Sequence, residues 1–180
     1  MELPDSVKRI GSLAFGGSKI VSIVTGGGLE YIGEQAFNSC NRLTTVLLGS
    51  YDYNLGQMSE APLEIIGNYA FMNCTLLESI QIPESVRDIG SYAFRGSGIY
   101  NAALTGVVYA DNWLVDFNEN IVESVAVHPG TKGIARYAFY NCRTLKSVTI
   151  PGSVEIICRG AFYGCCELEN ITLPDTPFKD

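Results

Sequence analysis

The sequence predicts an α/β solenoid: one domain over residues 1–180, a parallel β-sheet on one face, short helical turns on the other, about 23 residues per coil. Three observations predict it. The dipeptide Ala-Phe recurs with Phe at 15, 37, 71, 94, 139 and 162, at spacings of 22, 34, 23, 45 and 23. A strand-like apolar close follows most copies, as in "LTTVLL", "LLESIQIP", "LKSVTIP" and "LENITLP". A unit of this size cannot bury its own apolar face, whereas stacked neighbours can.

Each copy keeps one frame around its Phe. An aliphatic stands five residues before it (Ile10, Ile32, Ile66, Ile89, Ile134, Ile157), and a small residue follows (Gly11, Gly33, Gly67, Gly90, Ala135, Cys158). Three residues after Phe comes Cys40, Cys74, Cys142 or Cys165, with Ser18 and Ser97 in the other two copies. In "IARYAFYNC", Ile134, Ala138 and Phe139 are four and five apart, the spacing of one or two helical turns. In "LKSVTI", Leu145, Val148 and Ile150 point inward while Ser147 and Thr149 point outward. The Pro behind the strand lacks an N–H and ends the pairing. Phe71, Phe94, Phe139 and Phe162 are expected to stack in one buried column.

The departures from the period are also legible. The spacing of 34 is 23 plus 11, which places an inserted loop at 49–62. The spacing of 45 spans two coils, the second having its Ala-Phe half replaced over 105–121. Within that replacement, "TGVVYADNWLVDFNEN" alternates apolar and polar residues around Asp111-Asn112, which predicts a small hairpin. The close "VESVAVHP" from Val122 predicts a further strand. "IVSIVT" from Ile20 and "IYNAAL" from Ile99 arrive one residue early, behind Gly-Ser turns, and also read as strands. Seven strands in one sheet span about 30 Å.

The frame I-G-x-x-A-F-x-x-C-x-x-L-x-x-I-x-I-P resembles the BspA-type leucine-rich repeat, found in many bacterial surface proteins and some protist ones. The resemblance covers the chain apart from 49–62 and 105–121. It implies a leucine-rich-repeat solenoid, an extracellular or cell-surface location, and binding to host or neighbouring-cell proteins in adhesion. It carries no shared catalytic motif, so no catalytic residue is named and no enzyme is expected.

Composition narrows the partners. Twelve basic against nineteen acidic residues give a formal charge of −7, which opposes unguided binding to nucleic acid or an anionic membrane. No apolar run reaches the roughly 18 residues of a spanning helix. The opening "MELPDSVKRI" lacks the basic head and apolar stretch of a signal peptide. The segments "ELPDSV" and "TLPDTP" put both ends at repeat boundaries without a polar capping unit, which predicts a piece of a longer solenoid or caps supplied by partners.

The residues with reactive chemistry read mostly as structure. Four cysteines share one repeat position and Cys158 takes the small-residue slot, so a ladder of buried free thiols is expected, with Cys166 the exposed one. A bridge between Cys40 and Cys74, or Cys142 and Cys165, stays open. The chain has no C-x-x-C pair and one His, so neither a metal nor a cofactor is expected. His128 replaces the Pro that ends other strands and reads as a turn residue. "TGGGLEYIG" from Thr25 lacks the spacing of a phosphate-binding loop.

The candidate partner-binding residues lie where the repeat is broken. The insert brings Tyr51, Tyr53 and Met58, and the replaced segment holds Trp113, the single tryptophan. Insertions in repeat proteins often map to a binding face, and Tyr and Trp are favoured contact residues. Trp113 either faces a partner or fills the place of the missing half-coil. Leu47 and Gln81 are outward strand positions beside the insert. Tyr51, Tyr53, Trp113, Leu47 and Gln81 thus mark a partner-binding edge of a noncatalytic protein-recognition solenoid. The resemblance makes that partner a host matrix or cell-surface protein. Two alternatives stand beside it: a structural spacer, and a carbohydrate-binding module stacking sugars on Tyr51, Tyr53 and Trp113.

Overall fold

The computed structural model describes residues 1–52, 57–103, 106–118 and 122–173. The first coils contain β1 (Arg9–Ile10), β2 (Ser22–Val24), β3 (Tyr31–Ile32) and β4 (Thr45–Leu47). A hairpin of β5 (Gly49–Asp52) and β6 (Gln57–Glu60) follows, then β7 (Ile65–Ile66) and β8 (Asp88–Ile89). Next come α1 (Gly98–Asn101) and a second hairpin, β9 (Val107–Ala110) and β10 (Trp113–Phe117). The last coils contain β11 (Ser124–Ala126), β12 (Gly133–Ile134), β13 (Ser147–Thr149), β14 (Ile156–Ile157) and β15 (Asn170–Thr172). They wind as a β-solenoid of about seven coils of about 23 residues. Regular coils contribute to two parallel ladders rather than one. Two-residue strands precede the Phe turn, as in β1-β3-β7-β8, and three-residue strands follow it, as in β2-β4 and β11-β13-β15.

The expected helical turns are absent among the described residues, and the reason lies in the backbone donors. Around Phe37, alternate N–H groups leave the coil: Gln35, Phe37 and Ser39 donate to Asn68, Ala70 and Met72 at 2.8–2.9 Å. The residues between them, Ala36, Asn38 and Cys40, donate three residues back within their own coil. An α-helix needs every donor aimed four residues back, so this staircase of turns excludes it. The alternation requires positive φ two residues before and two after Phe, seen at Gln35 (56°) and Ser39 (61°), Tyr69 and Asn73, Tyr137 and Asn141, Gly160 and Gly164. Ile134, Ala138 and Phe139 are buried by the turns just as a helix would bury them.

The repeat position three after Phe now has a physical role. The thiol of Cys40 donates to Phe15 O at 3.0 Å, that of Cys74 to Phe37 O at 3.1 Å, and that of Cys165 to Phe139 O at 3.1 Å. Each S–H therefore ties its coil to the Phe carbonyl of the coil before. All six cysteines are unpaired; Cys40, Cys74 and Cys142 are buried and Cys166 is exposed. The small slot four before Phe is equally local: a Cβ on Gly67 would lie 2.7 Å from the Glu34 backbone nitrogen.

"IYNAAL" is not a strand. The hydroxyl of Ser97 accepts from Tyr100 N at 3.2 Å and caps α1, so Asn101 ends a helix instead of lying in a strand. Ser79–Gln81 belongs to no ladder either, and the expected seven-strand sheet is split into β2-β4 and β11-β13-β15. The Phe column is split at the same level. Phe15, Phe37, Phe71 and Phe94 stack at 5.1–5.4 Å, and Phe139 stacks on Phe162 at 5.1 Å, but Phe117 rather than Phe94 meets Phe139.

The partition between these stacks is β10, which pairs antiparallel with β9 and parallel with β12. All five of its residues are buried. Trp113 and Val115 join the first core cluster and Leu114 the second, because successive strand residues face opposite sides. The register shift between Leu114 and Asp116 breaks the alternation, and Phe117 joins the second cluster. The coils on either side also meet directly: Arg136 N donates to Ile89 O at 2.9 Å, and the Arg136 guanidinium grips the Asp88 carboxylate, with Nε–Oδ1 at 2.8 Å.

Candidate functional site

The split in the sheet leaves a groove of about 680 Å³ between β4 and residues 78–83. Its lining includes both Leu47 and Gln81, together with Val46, Ile80 and Ile99, which are buried, and the rim residues Glu60 and Glu78. Tyr109, Ala110 and Asp111 of the second hairpin complete it.

Both hairpins are held at this groove by polar bonds from residues 82–84. Ile82 N donates to Asp111 Oδ2 at 2.8 Å, and Glu84 N donates to Glu60 Oε2 at 3.1 Å. The Glu84 carboxylate in turn accepts from Asn112 Nδ2 at 3.3 Å and from Lys132 Nζ at 2.9 Å. Glu84 thereby links β6 of one hairpin, the turn of the other and the coil of Lys132. Beyond the turn, the Tyr109 ring stacks on His128 with centroids 4.3 Å apart, and its hydroxyl accepts from His128 N at 3.0 Å. Burial raises the Tyr109 pKa, against the hydrogen bonds with His128 N and the Thr131 side chain that lower it.

Of the other predicted residues, Trp113 lies apart from the groove lining. Tyr51 sits on β5, opposite Met58 of β6. Tyr53 lies outside the described residues. Trp113 is fully buried, so it does not stand at a surface that a partner or sugar can reach. It fills the place of the missing half-coil. Tyr109, Asp111, Glu60 and Glu78 escaped the sequence reading, because a split between two strands has no period to announce it. The only hint was the Asp111-Asn112 turn.

A second exposed feature lies on the turn face. Tyr140 and Tyr163 stack at 5.9 Å and are 42% and 62% exposed, with Tyr137 edge-on to both. Among the described residues no group of three His, Cys, Asp or Glu is placed to hold a metal ion, and no helix is long and apolar enough to cross a membrane.

The BspA type leucine rich repeat region matches residues 1–59, 57–113 and 115–179, in six copies. The chain belongs to the BspA-type leucine-rich-repeat family. Among solved structures, this BspA-type chain is similar to a leucine-rich-repeat protein of T. pallidum, at 23% identity and a TM-score of 0.50 over 96% of this chain and 68% of that one. That likeness shows the fold. A pneumococcal vaccine antigen is similar at 26% identity with a TM-score of 0.48, over 97% of this chain and 50% of that one. A leucine-rich cell surface protein from Faecalibacterium prausnitzii is similar at 25% identity with a TM-score of 0.40, over 97% of this chain and 53% of that one. The BspA-type chain thus spans about half the length of these last two proteins. A search of curated proteins finds no match.

Proposed function

We propose that the chain is a noncatalytic recognition module of a secreted or surface-displayed bacterial protein, binding a partner protein where its coils depart from the repeat. One observation carries the reading: both departures, the insert hairpin and the second hairpin, border the same groove and are bonded to residues 82–84 beside it. Membership of the BspA-type family supports a surface role. Leu47 and Gln81 supply contacts within the groove, and Tyr51 and Tyr53 supply aromatic anchors from the insert.

The test is a panel of immobilised host matrix proteins and glycans, probed with the chain and with a Tyr51→Ser/Tyr53→Ser variant. A protein ligand should be found, and the variant should bind it at least about 1 kcal/mol more weakly with an unchanged Tm. A variant that melts early yet binds normally once folded makes the insert packing material, and the spacer reading replaces this one.

A further inference from the structure

We propose that the groove between β4 and residues 78–83 receives an extended segment of a partner protein, paired through its main chain and carrying two basic side chains four residues apart. This rests on the recognition reading above and names the chemistry of its partner.

The main chain comes first. In the β2–β4 ladder, Thr45 N donates to Val21 O and Leu47 O accepts from Thr25 N at 3.0 Å. Thr45 and Leu47 therefore spend their backbone groups on β2. In a parallel ladder alternate residues face alternate sides, so the N–H and C=O of Val46 point toward residues 78–81. Elsewhere the solenoid closes this junction: Lys146 N donates to Glu123 O at 2.8 Å, and Val127 N to Thr149 O at 2.9 Å. Among the described residues, no backbone hydrogen bond joins 44–48 to 78–81. The open edge of β4 and residues 78–81 thus face one another across a groove with no backbone bond between them. An added strand satisfies edges of this kind, with main-chain bonds giving affinity and side-chain pockets giving specificity.

The lining selects the side chains. The floor, formed by Val46, Ile80 and Ile99, is apolar. The rim holds Glu60, Glu78 and Asp111 and, among the described residues, no Lys or Arg. Glu78 stands where the open segment begins, whereas Glu60 and Asp111 are bonded to Glu84 N and Ile82 N where it ends. Positions 78 and 82 are four residues apart, and an extended peptide rises about 13 Å over four residues at roughly 3.3 Å per residue. Lysines at the first and fifth positions of an extended peptide match that span, with small β-branched residues between them over the apolar floor.

The test uses the full chain and a labelled probe, acetyl-Lys-Val-Thr-Val-Lys-amide, followed by fluorescence anisotropy. Saturable binding is expected. It should weaken at least tenfold when the two Val nitrogens of the probe are methylated, and at least tenfold when its lysines are replaced by glutamates. Glu78→Lys, at an exposed position, should weaken it at least fivefold, and Glu34→Lys on the turn face should leave it unchanged. Equal binding by the methylated probe overturns main-chain pairing. Absence of saturable binding, or displacement of the probe by glycans alone, overturns the proposal. The two readings separate cleanly. A panel protein whose binding ignores Glu78→Lys removes the groove as its site and leaves recognition standing. Probe binding that meets every expectation without any protein ligand in the panel keeps the groove and removes the surface-recognition reading.

Discussion

The indole of Trp113 lies over the Cα of Gly133, its partner across the β10–β12 ladder. A Cβ at Gly133 would come within 2.6 Å of Trp113 Cε3. Regular coils carry Arg9, Tyr31, Ile65, Asp88 or Ile156 at that place, and glycine stands only where the indole must fit. The large and small residues form a matched pair that lets a hairpin strand replace half a coil.

Gly133→Ala should therefore destabilise the chain by about 1–3 kcal/mol, because overpacking forces the indole or the ladder aside. Trp113→Ala should cost about 3–5 kcal/mol through the cavity it leaves between the two cores. Denaturant titration followed by circular dichroism measures both. In Gly133→Ala the tryptophan emission should also shift to the red. An unperturbed Gly133→Ala would show that the indole does not pack there.

The Phe stack makes a graded prediction. Phe71 is fully buried between Phe37 and Phe94, with centroids at 5.1 and 5.4 Å, whereas Phe162 is half-buried and stacks on Phe139. Phe71→Ala should cost about 3–5 kcal/mol and Phe162→Ala clearly less. Equal losses in thermal or denaturant unfolding would contradict the stacking order.

Asp116 sets a pH dependence. Its side chain is 3% exposed on β10, and Oδ2 accepts no hydrogen bond, having only Arg95 Nε at 3.4 Å. Burial raises its pKa from 3.8 to about 6, against the attraction of Arg95 and the N–H of Phe117. An acid whose folded pKa lies above its unfolded one favours folding while protonated. That contribution is fully present below about pH 4 and is lost as pH rises through 6. Asp116→Asn should therefore gain on the native chain by up to about 3 kcal/mol between pH 4 and 6.5. Urea titrations of both proteins across that range read the difference. A constant offset would mean that the carboxyl is already ionised at pH 4.

Thiol reactivity follows burial. Burial pushes the Cys74 and Cys142 thiols up to about 12 and Cys158 to about 11, so little thiolate exists there at pH 8. Cys166 is exposed. One fast equivalent per chain should react with an aromatic disulfide reagent, all six should react in denaturant, and Cys166→Ser should remove the fast phase. Four or more fast equivalents, or a mass deficit from bridges, would overturn the ladder of buried thiols.

The coil period and the inward residues were determined by the sequence alone. Ile134, Phe139, Leu145, Val148 and Ile150 are buried as their spacing requires, because burial of a repeat face depends only on local period. Tertiary structure decided what that period could not. Residues three, four and five apart sit inside a helix and inside a staircase of turns alike; the choice fell to neighbouring coils, whose carbonyls take the N–H groups of Gln35, Phe37 and Ser39. A local trace existed in Gly17, Asn73, Gly96, Asn141 and Gly164, all two residues after Phe and all at positive φ. The cap that turned Ser97 from the repeat position toward α1, the indole placed over Gly133, and the edge of β4 left open between Val46 and Ile80 depend on residues far apart in the chain. They exist only once the coils are stacked, because each is a relation between neighbouring coils that no single coil contains.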